Sequence, residues 1–261
     1  MLPRLALAAL LALAGAPARA LPDPFPGAAA SYLVIVDGVP LWERAAGVHR
    51  APASLSKLMG ALLVLEDGRL DEEVEVSASA AAARGARLGL RAGERVAAHG
   101  LLAAMLVGSA NDACYALAER RGGPAAFVAR MNKRAATLGL AATRFGDPCG
   151  FDAEGQYSTA HDLARLAQRI MEQPQLAALV GRREVEVATA GRARLFRVKN
   201  SNVLIEHFPG VIGVKTGNTR RAGNNLIALA ERDGRRVLLV MLGARDRWWD
   251  AHGILARALE R

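Results

Sequence analysis

The sequence has few residues of the types that bind metals, and it lacks a phosphate-binding loop. It contains two cysteines and five histidines, and none shows the H-E-x-x-H spacing or another spacing typical of zinc ligands. A glycine-rich stretch at residues 85–94 lacks the G-x-G-x-x-G pattern of a dinucleotide-binding loop and predicts turns instead. We therefore expect no metal and no other cofactor, and a zinc hydrolase is disfavoured.

Lysine and aromatic residues are also scarce. Only four of the 34 basic residues are lysines, and the arginines are scattered without a basic run or an aromatic-interleaved patch. Nucleic acid is therefore not an expected partner, whereas the net charge of +9 suits an anionic polymer or a membrane surface. Aromatic residues make up 5% of the chain and alanine is abundant, which predicts a core of helices packed through small side chains.

Residues 1–20 have the pattern of a secretory signal peptide. A short basic start is followed by an apolar run over residues 5–16 and by the small-x-small sequence Ala18-Arg19-Ala20. An uncleaved membrane anchor is the alternative, and the shortness of the apolar run argues against it. We expect export to the periplasm and a single domain over residues 21–261.

The two cysteines, Cys114 and Cys149, leave two possibilities open. An oxidising compartment would allow them to form a disulfide. The sequence gives their spacing but not the geometry that a disulfide requires. We take two buried thiols as the default.

Short runs with strand character lie near both ends of the chain, and helical patterns fill the middle. Asp37-Gly38, between runs at residues 31–36 and 39–44, is a strong signal for a two-residue hairpin. Further runs cover residues 182–187, 193–198, 211–215, 225–230 and 237–242, and helical patterns cover residues 55–66, 101–107, 113–120, 125–138, 160–171 and 250–260. This order predicts an α+β fold with one antiparallel, five-stranded sheet, flanking helices and a mainly helical lobe.

Trp248 and Trp249 are predicted to pack in the core or at the sheet edge rather than to stack against glycans.

Ser54 and Lys57 stand three residues apart at the predicted start of a helix. That spacing places both side chains on one helical face, one above the other. A serine hydroxyl is a poor nucleophile until a base takes its proton, and a lysine amine desolvated by apolar neighbours can be that base. Ser54 is therefore a candidate nucleophile and Lys57 a candidate base, although Ser-x-x-Lys alone is a weak signal.

Two further motifs strengthen this interpretation. Ser109-x-Asn111, in a predicted link between two helices, offers a hydroxyl that can relay a proton and an amide that can hold a peptide group. Lys215-Thr216-Gly217 ends an apolar run with a cation and a hydroxyl, and the glycine leaves room for a substrate backbone. These three motifs occur in this order in penicillin-binding proteins and class A β-lactamases.

The chain resembles the low-molecular-mass penicillin-binding proteins, the serine D-alanyl-D-alanine carboxypeptidases of the S11 type. The resemblance runs from about residue 30 to about residue 259 and is carried by PASLSK at 52–57, SANDA at 109–113 and VIGVKTG at 211–217. It implies a β-lactamase/transpeptidase-like fold. It also implies that peptidoglycan stem peptides are the substrate and that β-lactams are inhibitors.

The resemblance further implies a role for each motif residue. Ser54 would attack the carbonyl of a D-Ala-D-Ala bond and form an acyl-enzyme, with Lys57 as the general base and Ser109 passing the proton to the leaving amine. The substrate-binding residues would be Asn111 for the peptide amide, Lys215 for positive potential, Thr216 for the terminal carboxylate, Gly217, and Asn218, whose backbone N–H would complete an oxyanion hole with that of Ser54. Asn218 stands where the family often has an aromatic residue or His, which leaves the substrate preference open.

Other activities also fit the sequence. A D-alanyl-D,D-endopeptidase that cuts peptidoglycan cross-links would use the same motifs. A class A-like β-lactamase would need a second base, and no E-x-x-x-N arrangement lies near Ser158. A non-catalytic wall-binding scaffold is disfavoured by the three intact motifs. Residues 257–261 are too few to form an amphipathic tail, so we expect no stable membrane anchor.

Overall fold

A computed structural model describes residues 23–261, and the predicted signal peptide lies outside this range. The strands in this part of the chain are β1 (Ala29–Val36), β2 (Val39–Arg44), β3 (Glu73–Glu75), β4 (Arg95–Ala97), β5 (Glu184–Ala188), β6 (Leu195–Lys199), β7 (Val211–Thr219), β8 (Gly223–Arg232) and β9 (Arg235–Ala244). The α-helices are α1 (Lys57–Glu66), α2 (Ala78–Ala81), α3 (Ala98–Val107), α4 (Asn111–Glu119), α5 (Gly123–Thr137), α6 (Ala160–Met171), α7 (Pro174–Val180), α8 (Leu204–His207) and α9 (Arg247–Leu259).

One five-stranded sheet organises the fold, with the strand order β2-β1-β9-β8-β7 and every neighbouring pair antiparallel. The β1–β2 hairpin turns at Asp37 and Gly38, whose φ angles of 49° and 85° are the two positive values that a type I′ turn requires. Ala29 lies opposite Ala244, so strands far apart in the sequence are neighbours in the sheet. The predicted α+β fold with an antiparallel five-stranded sheet is confirmed.

The two faces of the sheet bury separate apolar cores, because successive residues of a strand point to opposite sides. Leu33 and Val240 belong to the larger core, which contains the buried faces of α1, α3, α4 and α6. Tyr32 and Leu239 belong to the smaller core, which α8 and α9 cover. The helical lobe therefore packs against one face of the sheet only.

Two elements that carry the motifs begin or end elsewhere than the sequence predicts. A 3₁₀ turn over Ala53–Ser56 precedes α1, where a regular helix from residue 55 was expected. Strand β7 continues to Thr219, four residues beyond its predicted end, so the Lys-Thr-Gly motif lies within the strand. The extension is stabilised by pairing with β8, which reaches Thr219 opposite Gly223 and outweighs the low strand propensity of glycine and asparagine.

The prediction that both tryptophans are packing residues is wrong for Trp249. Its side chain is 80% exposed, whereas Trp248 packs against the smaller core and lies 4.5 Å from the Arg247 guanidinium. Successive residues of a helix point about 100° apart, and here Trp248 lies on the side of α9 that packs against the core while Trp249 lies on its solvent side. Within residues 23–261, no helix has the length and apolarity needed to cross a membrane.

Candidate active site

Ser54 lies in the 3₁₀ turn, and Lys57 is the first residue of α1. Residues three apart in a 3₁₀ turn eclipse one another, which brings the two side chains together. The Lys57 Nζ atom donates a hydrogen bond to Ser54 Oγ at 2.9 Å. Ser54 lines a cleft, whereas Lys57 lies beneath it with no exposed surface. The hydroxyl is therefore accessible to a substrate while the amine is not.

Lys57 Nζ has two further hydrogen-bond acceptors. It donates to Asn111 Oδ1 at 2.8 Å and to the Cys149 backbone oxygen at 2.5 Å. Burial lowers the pKa of Lys57 to about 7, although the negative charge of Asp147 acts in the opposite direction. At neutral pH a lysine with this pKa is partly a neutral amine, which is the form that can accept the proton of Ser54.

Ser109 and Asn111 lie where α3 ends and α4 begins. Ser109 has a φ of 60°, a conformation that is uncommon for a residue with a side chain and that clusters at functional sites. The amide of Asn111 is fixed at both ends, because Oδ1 accepts from the lysine and Nδ2 donates to Arg84 O at 2.6 Å. The buried Asp112 carboxylate accepts hydrogen bonds from three backbone N–H groups at positions 88–90, which holds the neighbouring loop against α4.

Strand β7 forms the opposite wall of the cleft. Thr216, Gly217 and Asn218 line the cleft, and Lys215 is buried behind them with its Nζ donating to Thr216 O at 3.0 Å. A Cβ on Gly217 would lie 3.1 Å from the Ser54 nitrogen. The glycine therefore allows the strand to approach Ser54 closely.

The two motif lysines influence each other electrostatically. Burial lowers the pKa of Lys215 well below its ordinary value, and the positive charges of Lys57 and Arg247 lower it further. A carboxylate that enters the cleft would raise this pKa again, because an opposite charge stabilises the ammonium form. The positive potential expected of Lys215 thus depends on the ligand that is bound.

Cys114 and Cys149 form a disulfide, with their Cα atoms 5.8 Å apart. The default of two thiols is therefore wrong. The cysteines are 35 residues apart in the sequence, and only the folding of the loop at residues 147–151 back onto α4 brings them within the distance that a disulfide spans. The bridge lies beside the site, since the Cys149 backbone oxygen is one of the acceptors of Lys57.

A cleft of 360 Å³ separates the two walls. Six of the eight predicted site residues line it, namely Ser54, Ser109, Asn111, Thr216, Gly217 and Asn218, and the two lysines lie beneath its surface. A serine hydroxyl beside a buried lysine on one wall, and a threonine hydroxyl with basic side chains on the other, form an arrangement suited to acyl transfer from a substrate that ends in a carboxylate. Within residues 23–261, no cluster of three or more His, Cys, Asp or Glu side chains could hold a metal ion.

Comparison with known families agrees with this chemistry. The family model of the D-alanyl-D-alanine carboxypeptidases, Peptidase_S11, matches residues 23–246. The chain belongs to this family. The resemblance inferred from the three motifs is confirmed, and with it the class of serine-type hydrolases to which the S11 peptidases belong.

Solved structures of S11 relatives confirm the predicted β-lactamase/transpeptidase-like fold. The chain is similar to a crystal structure of a D-alanyl-D-alanine carboxypeptidase from Mycobacterium tuberculosis, with a TM-score of 0.86, 30% identity, and coverage of 94% of this chain and 96% of the other. It is also similar to the Streptomyces K15 DD-transpeptidase, with a TM-score of 0.84, 28% identity, and coverage of 90% and 98%.

Two curated S11 relatives show how much of each sequence is shared. D-alanyl-D-alanine carboxypeptidase DacB2 of Mycobacterium tuberculosis is 33% identical over 224 residues, which cover 84% of this chain and 76% of the relative. D-alanyl-D-alanine carboxypeptidase DacF of Bacillus subtilis is 34% identical over 213 residues, which cover 79% of this chain and 54% of the relative. The chain thus spans about half the length of the Bacillus protein.

Two of the residues of this S11 cleft that sequence reasoning missed make hydrogen bonds to the Lys-Thr-Gly motif. Arg247 lines it and donates from Nη1 to Gly217 O at 2.9 Å. Ser201 also lines it, and its Oγ lies 2.7 Å from Thr216 Oγ1. Neither residue stands in a motif, and an arginine at the start of a helix in an arginine-rich chain gives no local signal. Only the pairing of β7, β8 and β9 brings the beginning of α9 to the cleft.

A larger cavity of 520 Å³ lies elsewhere, between α6 and the sheet. It is lined by Ile35, Gly38, Gln168, Met171, Glu172, Leu229, Arg236 and Leu238. This lining contains no nucleophile paired with a base. The chemistry of the S11 family therefore favours the smaller cleft as the active site.

Proposed function

We propose that this protein is a serine-type D-alanyl-D-alanine carboxypeptidase that acts on peptidoglycan stem peptides through an acyl-enzyme. The observation that carries the proposal is the 2.9 Å contact between Lys57 Nζ and Ser54 Oγ at the edge of a cleft. The opposite wall presents cations and a hydroxyl that suit a terminal carboxylate. Family membership and the names of the curated relatives support the same reaction.

The first half of the reaction forms the acyl-enzyme. Neutral Lys57 takes the proton of Ser54, and Ser54 Oγ attacks the carbonyl carbon of the penultimate D-alanine. The backbone N–H groups of Ser54 and Asn218 stabilise the negative charge on the carbonyl oxygen, and such donors are worth about 3–4 kcal/mol each. Ser109 passes the proton to the amine of the terminal D-alanine, which leaves as the C–N bond breaks. Water then hydrolyses the ester and restores Ser54.

The strand wall binds the end of the substrate. The hydroxyl of Thr216 and the cations of Lys215 and Arg247 hold the terminal carboxylate, and binding that carboxylate favours the ammonium form of Lys215. Asn111 orients the peptide amide. Gly217 leaves space for the substrate backbone beside β7, and the close contact between Ser201 Oγ and Thr216 Oγ1 orients the hydroxyl of Thr216.

The setting of this reaction is the periplasm. Residues 1–20 direct export as a signal peptide, and the catalytic domain lies within residues 21–261. Peptidoglycan is the macromolecular partner, and its carboxylate groups attract a basic protein. β-Lactams acylate Ser54 because they resemble the D-Ala-D-Ala end of the substrate.

A β-lactamase activity is disfavoured by the acidic residues nearest the site. The Asp147 carboxylate accepts hydrogen bonds from Tyr115 and from the backbone N–H groups of Cys149 and Phe151, and these occupy its acceptor positions. The exposed Asp152 accepts from Thr219. None of the residues that line the cleft is an aspartate or a glutamate. The acyl-enzyme formed from penicillin should therefore be long-lived.

The proposal is tested by product analysis. The mature protein is incubated with a pentapeptide that ends in D-Ala-D-Ala and, separately, with cross-linked muropeptide dimers. Release of free D-alanine from the pentapeptide supports the carboxypeptidase, and cleavage of the dimers without release of D-alanine would assign an endopeptidase instead. Ser54→Ala is the control, and full activity of this variant would overturn the serine mechanism.

A further inference from the structure

We propose that the Cys114–Cys149 disulfide positions Lys57. The disulfide holds α4 and the loop at residues 147–151 at a fixed separation, and each of these segments carries a hydrogen-bond acceptor of the Lys57 amine. The inference rests on the proposed function, in which Lys57 is the general base. It gives the disulfide a part in acylation that no sequence motif of the chain indicates.

The disulfide covalently links the two segments that carry hydrogen-bond acceptors of the Lys57 amine. Asn111, which accepts from Lys57 Nζ, stands three residues before Cys114 on α4, about one helical turn away. Cys149 provides the backbone oxygen that accepts from the same Nζ atom. The disulfide therefore joins the element that carries one acceptor to the residue that carries the other.

The loop that the disulfide holds also packs closely against the 3₁₀ turn that carries Ser54. Gly150 has a φ of 90°, and a Cβ at this position would lie 2.0 Å from the backbone oxygen of Ala53. A second tie between α4 and the loop is the hydrogen bond from the Tyr115 hydroxyl to Asp147 Oδ2 at 2.7 Å. Any movement of the loop away from α4 would thus change the surroundings of both Ser54 and Lys57.

Loss of the tie should raise the pKa of Lys57. Burial has the largest effect on this pKa and lowers it, and water that enters beside a displaced loop would weaken that effect. The titratable groups that face the amine are the Asp147 carboxylate on the loop and the Lys215 side chain on β7. The carboxylate raises the pKa and its withdrawal would lower it, but its influence is smaller than that of burial.

The experiment measures the second-order rate constant of acylation by a fluorescent penicillin between pH 5.5 and 9.5. The double variant Cys114→Ala/Cys149→Ala is compared with the native protein. Acylation of the native protein should reach half its maximum near the pKa of Lys57, about 7. In the double variant the midpoint should lie higher by one pH unit or more. Its rate constant should then be about fivefold or more below the native value at pH 7, and less than about twofold below it at pH 9.5.

Ile254→Ala is the matched control, because Ile254 is fully buried in the smaller core on the other face of the sheet. It should lower the thermal unfolding midpoint, as loss of the disulfide does, without moving the pH midpoint. If the double variant does not fold, the folded native protein treated with a phosphine reductant, which opens the disulfide and keeps both cysteine side chains, decides the question through the same upward shift.

A midpoint that stays in place or moves down in the folded double variant would overturn the inference, as would an unmoved midpoint in the reduced native protein where that measurement decides. Failure of penicillin to label the native protein would instead overturn the proposed function, and this inference with it. Labelling of the native protein with an unmoved midpoint leaves the proposed function standing and removes only the positioning role.

Discussion

The two walls of the cleft present their chemical groups in different ways. On the helix wall, Ser54 and Lys57, Asn111, and Cys149 come from three separate segments, and hydrogen bonds that the Lys57 amine donates hold them together. On the strand wall, the residues at positions 215–218 are consecutive, and the β7–β8 ladder sets their places. Backbone hydrogen bonds between strands hold residues in place whatever their side chains are. The hydrogen bonds around the Lys57 amine, in contrast, depend on each residue that takes part.

This difference predicts where substitutions act. A change on the helix wall should alter the chemical step, because it alters the protonation or placement of Lys57. A change on the strand wall should alter substrate binding and leave the protonation of Lys57 less affected. Four experiments test this division, in order of decreasing expected effect.

The largest effect on acylation is expected for Lys57, the proposed general base. Lys57→Met should lower the rate constant of penicillin acylation by about 10²–10⁴-fold, the usual contribution of a general base, and should abolish its rise through pH 7. Lys215→Met is the comparison on the strand wall and should keep that rise. Stopped-flow acylation against pH measures both variants. A Lys57→Met enzyme that acylates within tenfold of the native rate would contradict the assignment of the base.

The second effect concerns two glycines, one on each wall. Gly150→Ala places a Cβ 2.0 Å from a backbone oxygen at a φ of 90°, so it should lower the free energy of unfolding by about 3 kcal/mol or more. Gly217→Ala meets its nearest atoms only at 3.1 Å and should cost about 1 kcal/mol. Urea unfolding measures both variants.

Gly139→Ala is the control for backbone conformation alone. Its φ is 68° and no atom lies within 4 Å of the added Cβ, so it should cost about 1 kcal/mol. A Gly150→Ala protein that is no less stable than Gly139→Ala would show that the loop can move away from the nucleophile at little cost.

The third effect is on substrate binding. Thr216→Val removes a hydroxyl that should bind the terminal carboxylate, and hydrogen bonds to charged groups contribute about 1.5–3 kcal/mol, so KM should rise about 10- to 100-fold. Ser201→Ala keeps that hydroxyl and removes only its partner at 2.7 Å, so KM should rise less. Steady-state kinetics with a D-Ala-D-Ala peptide measures both. A fall in kcat with KM unchanged would place Thr216 in the chemical step and break the division between the walls.

The smallest effect is on stability against pH. The folded-state pKa of Lys57 lies below its unfolded value of 10.5, so between these pH values the unfolded chain binds more protons and stability rises with pH. The free energy of unfolding of the native protein, minus that of Lys57→Met, should increase by about 1 kcal/mol between pH 7 and pH 8. Denaturant unfolding at the two pH values tests this, and a constant difference would mean that Lys57 has an ordinary pKa.

Much of the site could be predicted because its chemistry is local. The three-residue spacing of Ser54 and Lys57 brings their side chains together in any helical turn, and the Asp37-Gly38 turn defines the first hairpin. The sheet and the helical lobe followed from the order of strand and helix patterns. The bounds of β7 were predicted too short, because pairing with β8 extends a strand through residues that have little tendency to form one.

The sequence by itself determined the family, the fold and the eight residues proposed for the site, since each motif combines its reactive groups within a few positions. Tertiary structure alone decided the rest. The contact of Cys149 with Lys57, the disulfide to Cys114 and the entry of Arg247 into the cleft all join residues tens of positions apart. The pKa of Lys57 belongs with them, because burial is a property of everything that surrounds the amine and of no single segment.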